Sequence, residues 1–148
     1  MQLTQYTDYS LRVLIYLSQK EEGELATISE IADFYGISRN HLVKVVHNLA
    51  TNNFILTLRG KHGGMKLARS AAQIGVGEVV RKTEPNFYIA ECFDNMNTNC
   101  VIIPICSLKK MLFEARTNFL QTLDRYTIAD SLDPEHGLLE KINIKLEK

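Results

Sequence analysis

The chain has 148 residues and a mass of 16.8 kDa, with 45% apolar and 23% charged residues. That is long enough to bury one core, or a small domain with an appended helix, and the composition argues against disorder. Seventeen Lys and Arg balance seventeen Asp and Glu, and the most apolar stretch, Leu11 to Leu17, is interrupted by Arg12 and far too short to span a bilayer. The opening MQLTQYTDYS lacks the basic-then-apolar order of a secretion signal, so the expectation is a cytoplasmic protein with no membrane partner.

Leu11, Leu14, Ile15 and Leu17 recur at helical spacing, which predicts a first helix over about Tyr6 to Gln19. Thr27-Ile28-Ser29-Glu30 is a capping box, in which the Thr hydroxyl and the Glu carboxylate each satisfy a free N–H. The helix it opens presents Ile28, Ile31, Ala32 and Tyr35 and should end at Gly36, which takes the left-handed conformation cheaply. Ser38 is placed to cap a third helix, whose apolar stripe is Leu42, Val45, Val46 and Leu49 and which should fray near Asn52 and Asn53. A short helix, a glycine turn and a longer basic helix make the helix-turn-helix pattern. Phe54 to Leu58 and Met65 to Ala68 then read as two strands joined by the basic turn Arg59-Gly60-Lys61-His62-Gly63-Gly64, a wing.

Ile74 to Lys82 predicts a short helix, stopped by Glu84-Pro85. No sustained period runs from Asn86 to Ile103. Pro104 suits a first helical turn, after which Ile105, Leu108, Leu112, Ala115, Phe119, Thr122 and Tyr126 alternate at spacings of three and four, widened by Met111, Leu120 and Leu123. That seam covers about 34 Å of helix, longer than a small winged domain can cover. A second copy of the helix is the expected partner, and packing back on the first helix is the alternative. The fold class is therefore mainly α with a small β-wing: a winged helix-turn-helix plus a long dimerisation helix. The expected division is 1–83 for the DNA-binding domain, 84–103 for a cluster-binding loop with the cysteines in or beside it, 104–132 for the dimerisation helix with a short following helix, and 133–148 for a tail.

Charge is unevenly spread. Between Gly36 and Arg69 there are six cations, Arg39, Lys44, Arg59, Lys61, Lys66 and Arg69, and no Asp or Glu. The remaining eleven basic residues face all seventeen acids, a balance of minus six. One basic face on an otherwise acidic body is the footprint of phosphate binding. Ser38, Arg39, Asn40, His41 and Lys44 occupy the first turns of the third helix, where a recognition helix meets base edges. Arg can donate twice to guanine and Asn can pair bidentately with adenine. Arg59, Lys61 and His62 at the wing tip suit a flanking minor groove or the backbone. A dimer would set two such helices about one turn of DNA apart, favouring a palindromic site.

Cys92, Cys100 and Cys106 are the chain's three cysteines, spaced C-x7-C-x5-C. An odd number argues against a disulfide framework, and three thiols beside one loop point to soft-metal or cluster ligation. The C-x2-C spacing of zinc ribbons is absent. A four-iron cluster needs a fourth ligand, for which Glu91, Asp94 or a residue of a partner subunit are the candidates. Enzyme readings fail on their motifs: the phosphate-loop pattern is not matched by Gly60 to Gly64, Gly75-Val76-Gly77 lacks the third glycine of a dinucleotide fingerprint, and neither an H-E-x-x-H helix nor a Ser-His-Asp set is present.

With MQLTQYTDYSLRVLIY at the start, YGISRNHLVKVV across the third helix, RGKHGGMKL in the wing and a late YTIAD, the chain resembles the dimeric winged-helix iron–sulfur regulators to about Leu132. It is most similar to the branch that represses in response to nitric oxide, as distinct from the branch that regulates cluster assembly. The resemblance implies a homodimer crossed by long helices and not an enzyme. It also implies an iron–sulfur cluster, four-iron with two-iron as the alternative, held by Cys92, Cys100 and Cys106 and by Asp8 of the partner subunit. The assembly branch carries a histidine where this chain has Lys109, which favours Asp8. The expected function is a DNA-binding repressor that nitric oxide releases from its promoter. The competing expectations are a general redox or iron-responsive regulator of the same build, and an iron–sulfur electron-transfer protein or enzyme.

Overall fold

The protein is represented by a computed structural model that describes residues 2–94, 96 and 98–132; the expected tail, 133–148, lies outside the described residues. Among the described residues five α-helices and one two-stranded antiparallel sheet, with short 3-10 turns between them, follow in the order α1 (Gln5–Leu17), α2 (Ile28–Tyr35), α3 (Arg39–Thr51), β1 (Ile55–Leu58), β2 (Gly64–Leu67), α4 (Val76–Thr83) and α5 (Ser107–Leu123). The fold is mainly helical with a small β-wing, as the periodicity predicts.

Local chemistry sets most of the boundaries. Thr4 caps α1, its hydroxyl accepting from the Thr7 N–H. Both halves of the Thr27–Glu30 capping box form, and Gly36 closes α2 at φ 66° with its N–H on the Ala32 carbonyl. Ser38 sits at the N-cap of α3, but its hydroxyl makes no capping hydrogen bond. Asn52 ends α3, and Asn53 turns into the left-handed region at φ 58°, a conformation Asn tolerates better than most residues.

Val13, Leu14, Tyr16, Ile31, Leu42, Val45, Leu49, Phe54, Ile55, Ile74 and Val79 form one core, each 0–1% exposed. Each large side chain among them contributes about 1.5–3 kcal/mol relative to exposure. α1 lies at the centre, packing on α3, α4 and β2, while α2 packs on α3. β1 and β2 pair in the register Ile55↔Leu67 to Leu58↔Gly64, and a further bridge joins Met65 to Ala26.

The last helix is shorter than its seam. Pro104 lies in a separate 3-10 turn, Ile103–Ile105, and α5 starts only at Ser107, with Cys106 as its cap. At the other end tertiary pairing wins over helix propagation. The Val76 N–H donates to the Tyr126 carbonyl at 2.8 Å and the Ile128 N–H to the Ile74 carbonyl at 2.9 Å, which draws the chain off the helix axis. Ile128, fully buried, thereby joins the core of the winged unit. Seventeen residues give about 26 Å of helix.

Candidate nucleic-acid interface and cysteine loop

α3 divides cleanly by burial. Leu42, Val45, Val46 and Leu49 are buried, while Arg39, Asn40, His41, Val43, Lys44 and His47 are exposed. Arg39, Val43 and His47 follow one i, i+4 row, and Asn40 and Lys44 the next. The wing tip exposes Arg59, Lys61 and His62, in a turn closed by the Gly63 N–H on the Gly60 carbonyl at 2.9 Å. Thus all eight side chains predicted for DNA are at the surface, five on α3 and its cap and three on the wing.

Ion pairing refines the basic segment. Arg69 is engaged by Glu78 at 2.6 Å and lies over the Phe54 ring, so its charge is answered within the fold. Arg39, Lys44, Arg59, Lys61 and Lys66 form no ion pair among the described residues. These five cations, with no acid between Gly36 and Arg69, remain available to phosphates.

The first turns of α1 hold α3 in place. The Tyr6 hydroxyl donates to the Lys44 carbonyl at 3.1 Å, and partial burial raises its phenol above the usual range. The Tyr9 ring faces that of His41 with centroids 6.2 Å apart. Upstream, Glu84 at the end of α4 accepts from the Thr4 N–H at 2.7 Å and from its hydroxyl at 3.1 Å. The residue that opens the cysteine loop therefore grips the start of α1, one turn from Asp8. Asp8 itself pairs with Arg12 at 2.9 Å, both side chains nearly half exposed.

All three cysteines are free thiols, Cys92 and Cys106 half-buried and Cys100 exposed. Cys92 lies in a 3-10 turn beside the buried Phe93, and Arg116 of α5 sits between the Phe93 and Phe113 rings, 4.9 Å from each centroid. The Cys106 sulfur accepts from the Lys109 N–H at 3.3 Å. Glu91 and Asp94 accept from loop N–H groups, those of Asn99 and Met96. Three soft donors fit an iron–sulfur cluster by their chemistry. Among the described residues no group of three or more His, Cys, Asp or Glu is gathered closely enough to hold a metal.

α5 has no buried residue. Ile105, Leu108, Met111, Ala115, Thr122 and Tyr126 of the apolar row are exposed, and Leu112 and Phe119 are half-buried. Packing against α4 and the Arg81–Asp124 ion pair hold its C-terminal end.

The Rrf2 family, described as "Iron-dependent Transcriptional regulator", matches residues 3–134. The chain belongs to the Rrf2 family. Among relatives of this Rrf2 regulator, the HTH-type transcriptional regulator NsrR of Bacillus subtilis is 46% identical over 145 residues, 98% of this chain and 99% of that one. NsrR of Bacillus licheniformis is 47% identical over 130 residues, 88% and 91% of the two chains. In solved structures the fold is shared with T. potens IscR, at TM-score 0.71 and 21% identity over 89% of this chain and 86% of that one. It is shared also with CymR, the global cysteine regulator of B. subtilis, at TM-score 0.70 and 20% identity over 88% and 95%. The Rrf2 chain is a DNA-binding transcriptional regulator and not an enzyme. No helix among its described residues is long and apolar enough to cross a membrane.

Three further residues are exposed on these surfaces and were not assigned to DNA individually from the sequence: Val43, His47 and Lys66, the last counted there only in the basic segment. His47 and Val43 were findable as the i+8 and i+4 neighbours of Arg39, and Lys66 as the outward residue of an alternating strand.

Proposed function

We propose that this chain is a homodimeric repressor that binds a palindromic site in double-stranded promoter DNA in its cluster-loaded form and releases it when nitric oxide reaches the cluster. The observation that supports the reading is the unpaired, acid-free cationic set of α3 and the wing in one chain with three free thiols in and beside one loop. The relatives named NsrR and the family's iron dependence support the sensing half. In this reading residues 1–83 bind DNA, 84–103 form the cluster loop, 104–132 carry the dimer contact, and the protein works in the cytoplasm.

Ser38, Arg39, Asn40 and His41 meet base edges, Lys44 meets phosphate, and Arg59, Lys61 and His62 grip the flanking backbone or minor groove. Cys92, Cys100 and Cys106 would hold the cluster with the partner subunit's Asp8, a set that suits a four-iron centre, with a two-iron centre as the alternative. When bound, the cluster would supply iron at which nitric oxide reacts. The chain's own part is positional. Cys106 stands at the N-terminus of α5, Glu84 ties the loop to Thr4, and Tyr6 and Tyr9 tie α1 to α3. A change in the hold on the thiols is thereby carried to the spacing of two reading helices. Only a difference in DNA affinity between the two states makes a switch, and a coupling of roughly 1–3 kcal/mol changes occupancy several-fold.

The test is DNA binding by anaerobically prepared protein at fixed salt, titrated with nitric oxide, beside a variant with all three cysteines replaced by serine. The native protein is expected to carry iron and sulfide and to release DNA on titration. The variant should carry neither and should not respond. Release by the triple-serine variant would overturn the sensing half; equal binding before and after nitric oxide would overturn the switch.

A further inference from the structure

Val43 is 47% exposed on a helix whose other valines, Val45 and Val46, are 0% and 6% exposed. Its place on the outer face of α3 has no local justification. Valine is among the weaker helix formers because branching at Cβ restricts χ1, and an apolar side chain gains nothing from water. A lone exposed apolar residue is ordinary on a protein surface. This one is flanked instead by Arg39 and Asn40 a turn before it, Lys44 beside it and His47 a turn after it, all exposed. It is the one large apolar side chain among the exposed residues of α3.

The turns that carry it are also held. The Tyr6 hydroxyl on the Lys44 carbonyl ties down the backbone beside Val43, and the Tyr9 ring faces that of His41 on the preceding turn. A β-branched side chain with one strongly preferred rotamer then presents two methyl groups in a fixed direction. In the major groove the base edges offer hydrogen-bond donors and acceptors and a single apolar feature, the 5-methyl group of thymine. Polar neighbours can read the donors and acceptors; Val43 can read only the methyl.

We propose that Val43 is a specificity-determining residue that selects thymine in the operator by packing against its 5-methyl group. The inference rests on the reading of α3 as the recognition helix. It requires a thymine in each half-site whose methyl matters to this side chain and to no other, and it adds a preference for thymine there beyond what hydrogen bonding sets.

The experiment selects a binding site from randomised duplex DNA with anaerobically prepared full-length protein. Each thymine of that site is then replaced singly by deoxyuridine, which removes only the methyl, and affinities are measured at one salt concentration for the native protein, Val43→Ala and Arg39→Ala. One thymine per half-site should lose roughly fourfold in affinity for the native protein, the worth of one buried methyl group, on conversion to deoxyuridine. Val43→Ala, with its two outer methyl groups removed, should show a smaller deoxyuridine penalty than the native protein and should keep its thermal stability, since alanine is the better helix former. If Arg39→Ala weakens binding but no deoxyuridine does, or if Val43→Ala shows the same deoxyuridine penalty as the native protein, the thymine contact is wrong while α3 remains the reader. If Arg39→Ala and Val43→Ala both leave affinity unchanged, the assignment of α3 itself is lost.

Discussion

Glu30 closes the capping box by accepting from the Thr27 N–H, and it also receives the Tyr16 hydroxyl and the Lys20 ammonium, each at 2.6 Å. Burial pushes its carboxyl up, but the hydrogen bonds from Lys20, Tyr16 and Thr27 outweigh burial and hold it below the usual range. Burial first, and then the Glu30 bond, push the Tyr16 phenol far the other way. A carboxylate with a depressed folded value contributes stability that is full above its unfolded pKa, about 4.3, and is lost as pH falls through the lower folded value. Glu30→Gln is therefore expected to lower the melting temperature at neutral pH, with the gap from the native protein closing below about pH 4. A gap that stays constant down to pH 3 in thermal melts would rule out the carboxylate's charge as the cause. Half of this arrangement was legible: T-x-x-E is a local pattern, whereas Tyr16 and Lys20 reach Glu30 only because α1 and α2 pack together, which no spacing records.

Among the elements, the wing shows how one residue type can serve a purpose that sequence does not reveal. Gly60, Gly63 and Gly64 read alike as turn residues. Yet Gly64 is required by contact, since a Cβ there would lie 2.8 Å from the Ala26 carbonyl oxygen and 2.9 Å from the Leu25 Cβ. The bridge between Met65 and Ala26, with N–H···O distances of 2.8 and 3.0 Å, brings that backbone close. Gly64→Ala is expected to destabilise by about 1–3 kcal/mol through overpacking, against the small gain alanine normally brings to a strand. Urea unfolding would show it, and an unchanged midpoint would mean that the wing shifts freely. The same lesson applies to α5, where Pro104 read as a helix start and Tyr126 as its last apolar contact. Cys106 capping and the Gly75–Thr127 bridge cut it at both ends, and neither is visible in a period of three and four.

For the molecule as a whole, the apolar row of α5 was legible as a stripe without a partner in its own domain, and the structure leaves it uncovered, with Leu108 61% and Met111 64% exposed. Under the dimer reading these side chains are buried by a second copy. Leu108→Asp is then expected to leave the helical circular dichroism unchanged at high concentration while turning the dimer into a monomer in sedimentation analysis. It should also remove the dependence of the native melting temperature on protein concentration, which dimerisation imposes by mass action. A dimer that survives the added charge would exclude α5 as the contact. What composition concealed at this scale was the partition of charge: a mean of zero hides five cations of residues 36–69 that form no ion pair among the described residues, because only position separates Arg69, held by Glu78, from them.

The Gly75–Thr127 bridge has a consequence of another kind. It staples the chain to itself, so that α4, the cysteine loop and α5 form a closed circuit with both ends fastened to the winged unit. A segment fastened at both ends has fewer conformations to give up than a free one. Whatever gathers the thiols meets a smaller ordering penalty, and the slack it takes up cannot escape along a loose end.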